Sequence, residues 1–122
     1  MFFTSNSRQS QRMFSPKLTT LGGCVKFYYN MEGGVSVELK VYLQKDNVRT
    51  LVFYANGIYV EKDEWIEGWF EVPAGPFSVE FEAYGDIYFQ RPSIVAIDDV
   101  EFIEGQSCPP SCKCNTIKLL FL

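Results

Sequence analysis

Histidine is absent from the 122 residues of this chain. That absence excludes Ser-His-Asp and Cys-His nucleophilic catalysis, every His-ligated zinc site and an imidazole switch near neutral pH. Long apolar runs are absent as well. No stretch approaches the roughly 18 residues that read as a membrane-spanning helix, so no membrane insertion by the chain itself is expected. The segment Met1 to Ser10 places two phenylalanines before a polar run and lacks the apolar core of a secretory signal. No Asn-X-Ser/Thr acceptor occurs, so N-glycans give no support for secretion. Lys and Arg number 11 against 15 Asp and Glu, a net charge of −4, and a chain so poor in base is not expected to bind nucleic acid. No segment of ten residues or more carries a helical stripe, and no internal repeat is found.

What is present is apolar and aromatic. Hydrophobic residues make up 47% and aromatics 16%, enough for a core and far from the composition of a disordered chain. The length fits one domain. Charge is unevenly distributed. Residues 1–60 carry a net +4, residues 61–104 a net −10, and the tail a net +2. An acidic face for cations or for a basic partner is one reading. The ordinary reading is favoured: strands with charged outward positions, the two halves paired to each other.

The dominant period is two. Val35, Val37, Leu39, Val41 and Leu43 alternate with polar neighbours, as do Phe77, Val79, Phe81 and Ala83. Such alternation marks half-buried strands. Cys24–Met31, Thr50–Ala55, Trp65–Val72 and Ile94–Ile103 read as further strands, and Arg12–Ser15 as a short edge strand. Turn signals separate them: Leu21-Gly22-Gly23, Glu32-Gly33-Gly34, Lys45-Asp46-Asn47, Asn56-Gly57, Pro73-Ala74-Gly75-Pro76, Tyr84-Gly85-Asp86 and Arg91-Pro92. Short strands at this spacing predict an all-β fold, an antiparallel sandwich or barrel. Within the last strand, Val95 and Ile97 set one face, while Val100 and Phe102 have the opposite parity. Either both faces are buried there, or a bulge at Asp98-Asp99 resets the alternation.

Four cysteines lie at positions 24, 108, 112 and 114. The ends of sandwich strands can come close, and a bridge between Cys24 and Cys108 would close a loop of about 84 residues. The alternative is a metal knuckle from Cys108, Cys112 and Cys114, but its spacing does not match paired C-x2-C zinc sites. The stretch Asn115–Leu122 ends the chain on an apolar run.

Several pieces, in order, carry a resemblance. They are Phe14-Ser15-Pro16, then Cys24-Val25-Lys26-Phe27-Tyr28-Tyr29-Asn30-Met31-Glu32-Gly33, then Val37-Glu38-Leu39-Lys40-Val41-Tyr42. Trp65 with Phe70-Glu71-Val72 follows, then Phe77-Ser78-Val79-Glu80-Phe81-Glu82. Ile94-Val95-Ala96-Ile97-Asp98-Asp99-Val100 with Gly105 and Cys108 closes the set. Together they resemble the MAM domain, named for meprin, the A5 neuronal antigen and receptor phosphatase mu. The resemblance implies an antiparallel jelly-roll-like β-sandwich in which Cys24 and Cys108 form the family's second bridge. It also implies that an N-terminal segment of the domain is missing. Residues 1–11 are then expected to be poorly ordered, 12–108 to be a partial MAM domain, and 109–122 a Cys/Pro-rich tail opening a truncated following module. An incomplete sandwich is expected to expose Phe27, Tyr29, Leu39, Val41, Phe77, Val79, Phe81 and Ile97 in part and to be unstable alone.

The function implied by the resemblance is a non-catalytic extracellular adhesion module of a larger membrane or secreted protein. Its partner would be another protein or a second copy. The alternatives are a carbohydrate-binding jelly roll, or a fragment without independent function. No cofactor is expected, the one candidate being a Ca²⁺ or Na⁺ ion at Asp98 and Asp99, since hard cations take carboxylate oxygens. The ordinary reading of that pair is a buried Asp accepting backbone N–H groups at the bulge and a solvated neighbour. Adjacent strand residues point to opposite faces, which speaks against a glycosidase pair. Among exposed aromatics, Tyr42, Trp69 and Tyr84 are the candidate interaction surface, beside Tyr54, Tyr59 and Tyr88. Tyr and Trp dominate interface hot spots, although cross-strand packing is the ordinary use of such rings.

Overall fold

The computed structural model describes residues 2–5, 9–32, 37–57, 64–85 and 93–109. The strands are β1 (Phe2–Ser5), β2 (Gln9–Phe14), β3 (Leu18–Glu32), β4 (Glu38–Lys45), β5 (Val48–Asn56), β6 (Ile66–Gly85) and β7 (Ser93–Glu104). All their pairings are antiparallel. No α-helix occurs among the described residues. The first sheet runs β1-β7-β3-β6 and uses the N-terminal half of β6. The second runs β2-β6-β4-β5 and uses its C-terminal half. The segment 1–11 contributes β1 and the start of β2.

The 20-residue β6 is the hinge of the architecture. The sequence suggests two strands separated by a turn at Pro73–Pro76. The structure corrects this: Ala74–Pro76, with Phe77, pair with Leu18–Leu21 of β3 inside one continuous strand. Two prolines are tolerated because β6 has a neighbour on only one side until β4 joins it at Ser78. Gly75, at φ +99°, turns the corner. Buried positions accordingly switch from Phe70 and Val72 to Phe77, Val79, Phe81 and Ala83, a change of parity across the corner. The expected turn at Leu21-Gly22-Gly23 likewise lies within β3.

The two sheets meet at Phe27, which has no exposed surface. Its ring touches Phe53 of β5 edge-on at 5.0 Å and Phe81 of β6 at 5.5 Å, and packs on Phe70 of its own sheet at 5.9 Å. Edge-on geometry places positive ring edges on negative faces. Val25, Tyr29, Met31, Val95 and Ile97 from the first sheet close onto Leu39, Val41, Leu43 and Val79 from the second, with Val37 just ahead of β4. The eight residues expected to lose cover are therefore all buried. Exposure falls elsewhere on the inner face. Phe102 pairs with core-facing Val25 yet remains 36% exposed, and nearby Val100 is 53% exposed.

The parity conflict in β7 is resolved by a bulge. The β3–β7 register shifts between Lys26 and Tyr28, and Asp99 takes a φ of 53°. The β4–β5 hairpin turns through Asp46 and Asn47, at φ 53° and 64°, the two-residue turn whose twist matches paired strands.

Candidate functional site: the outer faces of the sandwich

A disulfide joins Cys24 to Cys108, with the Cα atoms 4.9 Å apart. Cys24 lies on the outward parity of β3, between Glu71 of β6 and Ile103 of β7. The turn after β7 folds back over it, and Gly105 donates its N–H to the Gly22 carbonyl at 2.8 Å. The bridge thus ties the middle strand of the first sheet to the segment that leaves the domain. Cys112 and Cys114 lie outside the described residues.

The outer face of the first sheet presents Lys26 and Tyr28 of β3 beside Glu67 and Trp69 of β6. Cross-strand pairing sets Lys26 against Trp69 and Tyr28 against Glu67. The Lys26 ammonium lies 5.7 Å from each of the Tyr28 and Trp69 ring centres and 3.6 Å from Glu101. The Trp69 indole N–H donates to Glu67 at 2.7 Å, and the Tyr28 hydroxyl donates to the other Glu67 oxygen at 3.2 Å. Trp69 is therefore half-buried in a network rather than standing free. Carboxylates dominate the rest of this face, with Glu71 on β6 and Asp98 and Glu101 on β7.

The outer face of the second sheet is a lattice of alternating charge. Register places Glu38 beside Tyr84, Lys40 beside Glu82, and Tyr42 beside Glu80. Arg12 of β2 sits across from Glu82. Glu80 is 1% exposed and has several donors. Arg49 donates Nε to Oε1 at 3.0 Å and Nη2 to Oε2 at 2.8 Å, and the Gln44 amide adds 2.8 Å. The guanidinium of Arg49 also lies 3.5 Å from the Tyr42 ring centre. The Arg49 hydrogen bonds hold the Glu80 carboxyl below its ordinary range; desolvation opposes them and Gln44 assists. The same pairing raises the pKa of Arg49. Tyr84 is half-buried beside a shallow hollow of ≈ 190 Å³ shared with Ser10, Glu38, Lys40 and Glu82. Tyr54 is 47% exposed and donates to Glu38 at 2.8 Å.

The candidate surface residues therefore divide. Tyr42 and Tyr84 share the second sheet's outer face, while Trp69 stands on the first sheet's. Tyr59 and Tyr88 lie outside the described residues. Asp98 and Asp99 are both exposed, and the Asp98 carboxylate accepts the Asp99 N–H at 2.9 Å. Among the described residues, no three His, Cys, Asp or Glu side chains gather to hold a metal. Sequence reasoning missed the Arg49–Glu80–Tyr42 stack. The alternation assigned Glu80 a wet position, and no spacing rule shows that an arginine from another strand will cover it.

The described residues thus form a disulfide-closed, all-β sandwich. The model of the MAM domain family, meprin/A5/mu, matches residues 1–109, and the chain belongs to that family. MAM domains are in general extracellular, non-catalytic modules of the adhesion type that mediate protein interactions. Among the described residues, no helix is long and apolar enough to cross a membrane.

Proposed function

We propose that this chain is a non-catalytic extracellular interaction module of a larger membrane or secreted protein. Its second sheet's outer face would dock a protein partner or a second copy of the module. The observation that supports this best is the setting of Tyr54 and Tyr84. Both rings sit among fixed charges of both signs: Glu38, Lys40, Glu82 and Arg12. The ion pair of Arg12 with Glu82 at 3.2 Å fixes part of that lattice before any partner arrives. Rigid aromatic anchors with a patterned polar rim are what a protein interface uses. A surface whose hollow beside Tyr84 measures only ≈ 190 Å³ suits a protein better than a small substrate.

The test uses the full oxidised chain coupled to beads. Bead clustering measures self-association, and binding of the beads to cell surfaces measures a heterologous partner. The proposal expects one of the two, reduced at least tenfold by Tyr54→Ala with Tyr84→Ala at an unchanged melting temperature. Absence of both, or binding indifferent to those substitutions, contradicts it.

A further inference from the structure

A second recognition site lies at one end of the second sheet, separate from the Tyr84 face. After Phe14, β2 leaves the sheet. Ser15 marks the exit, donating its N–H to the Val79 carbonyl at 2.8 Å and accepting the Val79 N–H on its hydroxyl at 2.9 Å. β4 continues alongside β6 as far as Ser78. The mismatch opens a cleft of ≈ 580 Å³ between the end of β2 and the β4–β5 turn, lined by Phe14, Lys17, Gln44, Lys45, Asn47 and Ser78 among others. That volume is in the range of small-ligand sites.

Its charge is the informative feature. Six cationic side chains lie among the described residues, and four of them, Arg12, Lys26, Lys40 and Arg49, are ion-paired with carboxylates. The remaining two, Lys17 and Lys45, both line this cleft. Lys45 donates to the Ala74 carbonyl at 2.8 Å, which orients the ammonium without neutralising it. In a chain with more acid than base, two cations without carboxylate partners in one cleft mark a place for an anion. Asp46 at the turn also lines the cleft, so the anion must reach past one carboxylate to the lysines.

The other lining groups narrow the ligand class. Phe14 is 56% exposed and offers a ring face. The Asn47 amide and the Ser78 hydroxyl make no side-chain hydrogen bond among the described residues, and Gln44 uses only its N–H group, on Glu80. An apolar ring face beside the Asn47 amide, the Gln44 carbonyl oxygen and a hydroxyl suits a sugar ring with its hydroxyl groups, while the lysines suit a sulfate or carboxylate on it. A bare inorganic anion would use the lysines alone. We infer that this cleft binds an anionic saccharide, sulfated or carboxylated. The site is independent of protein docking on the Tyr84 face.

The test is titration of the full oxidised chain with four probes: a heparin-derived tetrasaccharide, an uncharged tetrasaccharide, inorganic sulfate and a short Asp/Glu peptide. Saturable binding of the sulfated probe is expected, at least tenfold tighter than any other. Lys17→Ala with Lys45→Ala is expected to weaken it at least tenfold, and Phe14→Ala several-fold. Lys26→Ala, on the outer face of the first sheet and outside the cleft, is expected to leave it unchanged. Lys17→Ala alone removes an exposed side chain that makes no hydrogen bond or ion pair among the described residues, so its loss of binding cannot be assigned to misfolding. No saturable binding, binding unchanged by the lysine substitutions, or equal binding of the peptide or the uncharged sugar would each overturn the inference.

Discussion

Arg49 grips Glu80 through two hydrogen bonds, of 3.0 and 2.8 Å, with its guanidinium 3.5 Å from the centre of the Tyr42 ring. The pair joins β5 to β6 across the intervening β4. Three strands of the second sheet are thus fixed by one buried carboxylate on its outer surface.

Replacing that carboxylate tests its role. Glu80→Gln keeps the shape but removes the doubly bonded anion of Arg49, and leaves Arg12 and Arg49 with Glu82 alone. Arg49 and Arg12 are 40% and 54% exposed, so water relieves part of the loss. The expected cost at pH 7 is about 2 kcal/mol, read from chemical denaturation.

The same group sets an acid limit. Its folded-state pKa is depressed below the ordinary 4.5, so its contribution is complete above that pH and is lost as pH falls through the folded value. The stability difference between wild type and Glu80→Gln is therefore expected to be constant from pH 7 to about 5 and to shrink below 4.5. A difference that grows in acid would contradict the assignment.

The Cys24–Cys108 bridge closes a loop with a sequence separation of 84 residues. In the chain-entropy model such a crosslink contributes about 4 to 5 kcal/mol. Cys24→Ser with Cys108→Ser is expected to lower the denaturation midpoint by that equivalent, with strand content retained in the folded fraction. Peptide mapping under non-reducing conditions is expected to recover the two cysteines in one linked fragment.

Much of this was legible from residues alone. Alternation located β4 and the second half of β6, because one dry face and one wet face produce a period of two. The parity conflict at Asp98-Asp99 located the bulge in β7. The opposed charges of the two chain halves foretold cross-pairing: Arg12 and Arg49 meet Glu80 and Glu82, and Lys26 meets Glu101. What was not legible depended on distant neighbours. Pro73–Pro76 has the composition of a turn, and only the open edge of the first sheet lets it continue as strand. The lysine cleft was hidden for a similar reason: Lys17 and Lys45 are distant in sequence, and only the exit of β2 and the β4 turn bring them together.

Two glycines separate crowding from backbone strain. A Cβ at Gly68 would stand 2.6 Å from Cζ of Phe27, whose fully buried ring has nowhere to move. Gly68→Ala is expected to cost about 1 to 3 kcal/mol through overpacking. At Gly105 a Cβ meets nothing within 4 Å, but φ is +79°. Gly105→Ala is expected to cost about 1 kcal/mol through the left-handed backbone alone. Thermal melts should separate the two, and Phe27→Leu should rescue only the first.

The central claim is that the second sheet's outer face is the protein-docking surface. The most direct measurement compares bead clustering and cell-surface binding of the oxidised chain for Tyr84→Ala and Trp69→Ala, one substitution on each face of the sandwich. The account predicts that Tyr84→Ala weakens association and that Trp69→Ala, which breaks the Lys26 and Glu67 contacts, lowers thermal stability but leaves association intact. Association lost with Trp69→Ala and kept with Tyr84→Ala would place the interface on the acidic first sheet and contradict it.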